Sequence, residues 1–488
     1  MLEIKNVSIR HIVSDKMLVE NFNFVLNHGD KAVIIGEEGN GKSTLLQFIF
    51  DKSLIDGYCE HDGQIATKAK MAYLPQFLTN DKLALPIQDF FGGINLKQYV
   101  KIFNSLGIDA ELTTQSRPMS TLSGGEKIKM QLAKILMENP DILLLDEPTN
   151  DLDLETLDWI EDFINNCGLP IIFISHDETL IERTANVVIH IEQLVRKTKS
   201  KITIYHGGYA KYVKSRGLAY DKQMQVAKKQ RTEHKVQMER WQQIHDKVEH
   251  QQNAISRGDP AGGRLLKKKM KAVKSAGRRM ERQAEEFFDI PQMEEAILAG
   301  FDPKTHIPNG KVILDIPQLR VVGAARIGIV GKNGVGKTTL LRQMWNELKD
   351  RKDIIAVYMP QDYKEVLDYS QSVLDFLAPS GQKLDITKAR TYLGGMKFTK
   401  DEMSGKIGSL SGGQKAKVLF LDMVFKNANV LVLDEPTRNF SPLSAPEIRR
   451  TLGEFGGAII SISHDRKYLQ EVCGEVYELM SDGLLRQK

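Results

Sequence analysis

Cysteine is scarce in this chain. There are three in 488 residues, Cys59, Cys167 and Cys473, far apart and odd in number. That argues against a disulfide framework and against a cysteine-built zinc site, and it predicts a reducing compartment, the cytoplasm. No run approaches the ~18 consecutive apolar residues of a membrane span, so this chain is not expected to form a channel or permease by itself. The opening residues Met1-Leu2-Glu3-Ile4-Lys5 carry no apolar stretch of the kind that marks a secretory leader. What remains is an ordinary globular balance, 41% hydrophobic and 27% charged, in a length with room for about three domains.

The first half reads as strands at Leu2 to Ile9, Phe22 to Leu26 and Lys31 to Ile35. The last runs into Gly36-Glu37-Glu38-Gly39-Asn40-Gly41-Lys42-Ser43-Thr44 and then an apolar helix, Leu45 to Phe50. A strand, a GxxxxGKS turn and a helix are the context of a P-loop. The glycines let backbone N–H groups curl around phosphates, Lys42 reaches the β- and γ-phosphates, and Ser43 offers a hydroxyl to Mg²⁺. Further on, Gln76 closes Ala72-Tyr73-Leu74-Pro75-Gln76 at a strand end, where a glutamine can sense Mg²⁺ or the attacking water. Leu122-Ser123-Gly124-Gly125-Glu126 opens a helix whose free N–H groups form an anion site. Ile142 to Leu145 and then Asp146-Glu147 describe a buried parallel strand that ends at a site. There Asp146 would hold Mg²⁺ through water and Glu147 would polarise the attacking water. Asn150-Asp151-Leu152-Asp153 follows, and a second buried strand, Ile171 to Ile174, ends in Ser175-His176-Asp177, with His176 placed for the γ-phosphate.

From Val312 the pattern recurs in the same order. Ile327 to Val330 lead into Gly331-Lys332-Asn333-Gly334-Val335-Gly336-Lys337-Thr338-Thr339. Gln361 closes Val357 to Gln361, and Leu410-Ser411-Gly412-Gly413-Gln414 opens a helix. Asp434-Glu435 ends Leu431 to Leu433, and His464 follows Ile460 to Ser463. Five elements repeated in one order make chance negligible.

Between the halves lies a stretch that resembles neither. From Tyr209 to Phe287 the chain is rich in helix formers and has no proline before Pro260. It reads as two helices, one to about Ile255 and one from about Arg264, joined by a turn at Arg257-Gly258-Asp259-Pro260-Ala261-Gly262-Gly263. The first would be roughly 70 Å long. Leu266, Met270, Val273, Gly277, Met280, Ala284 and Phe287 form a heptad seam on the second. The facing seam, Met224, Ala227, Met238, Trp241, Val248 and Ile255, is interrupted by Arg231, His234, His245 and Gln252. An antiparallel hairpin follows, either a solvated spacer or something more. From Lys247 to Arg282 eleven bases face three acids, a net of +8 in a chain whose total is +4. Positive charge at the far end of a hairpin suits a probe among phosphates, with Arg257, Arg264, Lys267, Lys268, Lys269, Lys271, Lys274, Arg278 and Arg279 as its nucleic-acid contacts. Leu265 and Leu266 either present an apolar edge near the tip or close the coiled coil.

These motifs resemble an ATP-binding cassette (ABC) protein with two nucleotide-binding domains, over essentially the whole chain. The implied fold is α/β, with two P-loop cassettes, residues 1–206 and 301–488, joined by a helical hairpin at 207–300 whose tip lies near 255–266. Walker A would be Gly36, Gly39, Asn40, Gly41, Lys42, Ser43 and Thr44, and Gly331, Asn333, Gly334, Gly336, Lys337, Thr338 and Thr339. The signature residues would be Ser123, Gly124, Gly125 and Glu126, and Ser411, Gly412, Gly413 and Gln414. Glu147, His176 and Gln76, with Glu435, His464 and Gln361, would be catalytic. Ser43, Gln76 and Asp146, with Thr338, Gln361 and Asp434, would hold Mg²⁺. In this family two ATP molecules lie head to tail, so the Lys42 site would face Ser411–Gln414 and the Lys337 site would face Ser123–Glu126, within one monomer.

Twin cassettes with a long basic linker are similar to the ABC-F family. The resemblance implies a cytoplasmic ATPase without a membrane part that binds the ribosome at the tRNA exit site and touches large-subunit rRNA and P-site tRNA near the peptidyl-transferase centre. The form Arg438-Asn439-Phe440-Ser441-Pro442, in place of Asn-x-Leu-Asp, resembles members that protect ribosomes from lincosamides, pleuromutilins and streptogramin A. The loop from Gln76 to Leu122 carries no extra arm. A housekeeping translation factor, the ATPase subunit of a transporter with separate membrane chains, and a DNA-associated ABC ATPase are the alternatives. The linker favours the ribosome.

Overall fold

Each half alternates short apolar runs with helices, and each builds a six-stranded sheet. The computed structural model describes residues 1–93, 96–109, 111–194, 199–254, 260–285, 300–301, 306–480, 482–483 and 485–487. In the first half the strand order is Met71–Leu74, Ile142–Asp146, Ile171–Ile174, Lys31–Ile35, Val187–Leu194, Lys199–His206. The first five run parallel and the last is antiparallel. The three strands that lead to the P-loop, the acid pair and the histidine are buried along their whole length, as β-branched and leucine-rich runs require when helices cover both faces. The second half repeats the order with Ala356–Met359, Val430–Asp434, Ala458–Ile462, Arg326–Val330, Glu475–Leu479 and Leu485–Gln487. Because the parallel strands point the same way, the P-loop, the acid pair and the histidine emerge side by side at their carboxyl ends.

An antiparallel sheet flanks each cassette. In the first, Leu2–His11 lies between Lys16–Leu26 and Cys59–Thr67. The strand expected from Phe22 begins earlier, because a turn with Asp15 in the left-handed region returns Lys16 and Met17 against His11 and Arg10. In the second cassette the counterpart is only Val312–Ile316 with Leu319–Val322. Both cassettes lie in one compact unit, and the segment from Lys211 forms another.

That second unit is built from two helices, Tyr209–Ala254, which enters it at Lys211, and Pro260–Glu285. The second starts four residues before the expected Arg264. A proline at the first helical position sacrifices no hydrogen bond, so Pro260 to Gly263 enter the helix rather than the turn. The rest of the expected turn, Arg257 included, and the seam ends Ile255 and Phe287 lie outside the described residues. The seam is built as its spacing predicts. Ala227, Val248 and Met270 are buried, the Trp241 indole N–H donates to Val273 O at 2.8 Å, and a Cβ at Gly277 would fall 2.8 Å from the Trp241 ring. Gly277 is therefore the hole that receives Trp241. His234, His245 and Gln252, which break the apolar pattern, are half-buried within the seam, whereas Arg231 is exposed. Among the described residues no helix is long and apolar enough to cross a membrane.

Candidate ATP sites

The P-loops are set by backbone geometry. Gly36 and Gly331 have φ of 148° and 146°, and a Cβ on either would meet the carbonyl of Ile191 or Leu479 at 2.3 or 2.8 Å. No side chain could stand there. The helices that follow, Lys42–Phe50 and Lys337–Leu348, have no side-chain cap, so their first N–H groups are open to an anion. Both lysines are buried and turned onto their own loops. Lys42 Nζ donates to Gly36 O and Glu37 O at 2.9 and 3.1 Å, and Lys337 Nζ to Gly331 O and Lys332 O at 2.7 and 3.1 Å. Burial lowers the Lys337 pKa against the pull of Glu435.

The acids come next. Asp146 and Asp434 accept from the P-loop hydroxyls, Ser43 Oγ and Thr338 Oγ1, each at 2.9 Å. Burial pushes the Asp146 carboxyl up to about 6, and it raises Asp434 as well. A hydroxyl beside a carboxylate that burial makes unwilling to ionise is a donor set suited to a hard divalent cation. Tyr73, which the sequence did not single out, donates its hydroxyl to Asp146 Oδ2 at 3.0 Å. Tyr358 stands at the matching strand position, and the Asp434 charge adds to burial in raising its pKa.

Glu147 and Glu435 have φ of 49° and 53°, a left-handed backbone that is costly for a residue with a long side chain. Their N–H groups are tied to the neighbouring strand, at Ile174 O and Ile462 O, 3.1 and 2.9 Å away. Beyond this shared backbone the two differ. His176 Nε2 lies 3.0 Å from Glu147 Oε1, while His464 Nε2 is 3.8 Å from Glu435 Oε1. Burial works against ionisation of Glu147, but His176 and Lys42 outweigh it and its pKa is lowered. At Glu435 burial wins, reinforced by Asp434, and the carboxyl is pushed up to about 8. Burial and the Lys337 charge push His464 down to about 4. Glu147 Oε2, His464 Nδ1 and Gln414 Nε2 are buried without a hydrogen-bond partner among the described residues.

The signature helices Gly124–Leu136 and Gly412–Phe425 begin with capping boxes, Ser123 with Glu126 and Ser411 with Gln414. Each faces the opposite cassette. Gly413 N–H donates to Glu38 Oε2 of the first P-loop. Asn333 of the second P-loop donates to Asp151 O of the first cassette. A cavity of about 710 Å³ joins Asn333, Lys337, Thr338, Gln361, Glu435 and His464 to Gly124 and Asp151, and Gln76, Glu147 and His176 also reach it. The loop at Arg438 is a clasp. Arg438 Nη2 lies 2.8 Å from Asp151 Oδ1, His176 Nδ1 lies 3.0 Å from Phe440 O, and Tyr209 OH donates to Pro442 O at 2.9 Å.

Among the described residues, ion pairs between the cassettes share a polarity. Glu37–Lys417, Asp151–Arg438, Glu155–Lys332, Glu178–Arg449, Asp177–Arg466 and Glu178–Lys467 each take the acid from the first cassette and the base from the second. Of the cations expected on the hairpin, Arg264, Lys267, Lys268, Lys269, Lys271, Lys274, Arg278 and Arg279 are all exposed.

The family model described as ABC transporter matches residues 19–150 and 314–438. YdiF of Bacillus subtilis is 27% identical, over 95% of this chain and 78% of that protein. ABC transporter F family member 5 of Arabidopsis thaliana is 25% identical, over 99% and 75%. A chain in the crystal structure of the complex of archaeal ribosomal stalk protein aP1 and archaeal ribosome recycling factor aABCE1 superposes with a TM-score of 0.58 at 15% identity, covering 99% of this chain and 89% of that one, a likeness of fold. Twin P-loops, acid pairs and signature helices on matching strand ends agree with these matches: the chain belongs to the ABC transporter family, as a tandem ABC ATPase of the ABC-F type.

Proposed function

We infer that this ATPase works on the ribosome, in the cytoplasm and as a monomer, with each ATP held between the P-loop of one cassette and the signature helix of the other. In each site the glutamate after the strand aspartate, Glu147 or Glu435, polarises the attacking water, and His176 or His464 attends the γ-phosphate. Mg²⁺ arriving with ATP would be held by Ser43 and Asp146 or by Thr338 and Asp434, with Gln76 or Gln361 beside it, and would neutralise phosphate charge.

The observation that carries the ribosome reading is the second hairpin helix, which buries an apolar seam and exposes eight cations from Arg264 to Arg279. A spacer needs the seam but not the cations, whereas a helix laid among rRNA and tRNA phosphates needs both. The likeness of fold to aABCE1, an archaeal ribosome recycling factor found in complex with a ribosomal stalk protein, supports the reading. The Arg438–Pro442 form supports protection against drugs at the peptidyl-transferase centre, with the hairpin acting on P-site tRNA and the drug site.

Sedimentation with ribosomes in ATP, using the Glu147→Gln/Glu435→Gln chain, tests the reading. Binding should fall steeply with salt, and Lys267, Lys268 and Lys269 changed to Ala should flatten the slope, each phosphate contact contributing about one in log K against log salt. That coefficient is taken from duplex DNA. A chain that stays in the supernatant, or a salt slope indifferent to the lysines, would contradict it. Expression in a sensitive host with a panel of peptidyl-transferase drugs then separates protection from a general translation role, which would leave susceptibility unchanged.

A further inference from the structure

The two P-loops differ in charge where they should agree. Position two is Glu37 in the first and Lys332 in the second, and position three is Glu38 against Asn333. Acids in a loop that must hold a polyanion oppose its function unless something else receives them. Here the second cassette does. Glu37 is largely buried. Its Oε1 accepts from Ser441 Oγ at 2.7 Å and from Ser444 Oγ, and its Oε2 lies 3.3 Å from Lys417 Nζ. Glu38 Oε2 accepts from Gly413 N–H in the first turn of the second signature helix, and a Cβ on Gly412 would come within 2.9 Å of that same oxygen. Gly412 therefore admits the carboxylate.

That helix start is where an anion belongs, and the two signature helices obtain one differently. The first has its own acid, Glu126, folded back onto Ser123 N and Oγ at 2.8 and 2.9 Å. The second has neutral Gln414 in its capping box, and its acid comes from across the interface. At the matching place in the other site, Asn333 brings no charge and bonds to a carbonyl. Glu38 is exposed, so it can swing into solvent, while the buried Glu37 keeps the loop anchored.

We propose that Glu38 sets the nucleotide preference of the Lys42 site: its carboxylate occupies the place on the second signature helix that a γ-phosphate would take, so ATP must displace it, whereas ADP leaves it seated. The proposal rests on the composite-site reading above.

The test uses the full chain with Lys337→Ala, so that binding reports the Lys42 site, and compares ADP with a non-hydrolysable ATP analogue. Glu38→Asn installs the residue the other site already carries, and Glu38→Gln keeps the size and removes only the charge. Both should tighten the analogue about tenfold, 1.4 kcal/mol, and leave ADP within about twofold. With Lys42→Ala as background instead, Asn333→Glu should weaken the analogue relative to ADP. Equal changes for the two nucleotides, or none, would overturn the role of Glu38. Adding Lys42→Ala to the Lys337→Ala chain separates the two failures. If binding survives it, the nucleotide is not in that site and the composite reading fails with the proposal. If binding is lost while Glu38→Asn leaves the ADP-to-analogue ratio unchanged, Glu38 alone is wrong.

Discussion

The Lys42 site and the Lys337 site share one backbone and one set of Lys, Asp, Glu and His, and differ in the P-loop and signature residues around that set, Glu37 and Glu38 against Lys332 and Asn333, and Gln414 against Glu126. In the first, Glu147 lies 3.0 Å from its histidine with its pKa lowered, and the P-loop acids are engaged by the other cassette. In the second, Glu435 and His464 are 3.8 Å apart, burial pushes them to about 8 and about 4, and a cavity opens beside Lys337. Duplicated motifs thus specify where atoms go, while the residues between them decide how each site behaves. The shared polarity of the interface, acids from the first cassette and bases from the second, has a further consequence. Two first cassettes would meet acid to acid and two second cassettes base to base, so the charges favour pairing of unlike halves.

In the proposed mechanism both sites hydrolyse ATP with matching acids, Glu147 and Glu435. The largest expected effect follows from removing both. Glu147→Gln with Glu435→Gln should lower steady-state phosphate release by about 10²-fold or more while ATP binding persists. Near-normal release would remove these residues from the chemistry of either site.

Breaking the interface polarity comes next. Arg449 is buried, with Glu178 of the first cassette and Glu471 of its own each at 2.7 Å. Arg449→Ala should cost about 3–5 kcal/mol, because it removes a buried guanidinium from Glu178, which is itself only 11% exposed. Chemical denaturation of the whole chain measures it, and a loss below about 1 kcal/mol would mean that the pair behaves as a surface bridge.

A smaller and pH-dependent effect belongs to Glu37. Although burial opposes it, Lys417, Ser444 and Ser441 hold its carboxyl down at about 2. A pKa depressed on folding gives stability that is complete above the unfolded value, ~4.3, and is lost as pH falls toward 2. Glu37→Gln should therefore cost up to ~3 kcal/mol at neutral pH, with the difference from wild type shrinking below about pH 4. A difference that does not vary between pH 7 and 3 would show that the carboxylate charge is not what binds the clasp.

Much of this was legible in the sequence because it is written locally. A P-loop needs Gly36 and Gly331 for their φ, buried strands need uninterrupted apolar runs, and the heptad spacing placed Met270, Val273 and Gly277 in the seam. Pairings between distant residues were not legible. Glu37 and Glu38 read as filler within GxxxxGKS, since nothing near them announces Ser441, Ser444 or Gly413 some 400 residues away. The Arg438–Pro442 departure could be seen but not explained until its atoms met Asp151, His176, Tyr209 and Glu37. Tyr73 hid in the same way, because an aromatic residue in a strand reads as core until its hydroxyl is found on Asp146.

The central claim is that the two sites are unequal, and single substitutions test it most directly. Phosphate release by Glu147→Gln and by Glu435→Gln, each measured in the full chain over a range of ATP, should give two different curves, with unlike plateaus and unlike half-saturation. Superimposable curves would contradict the account.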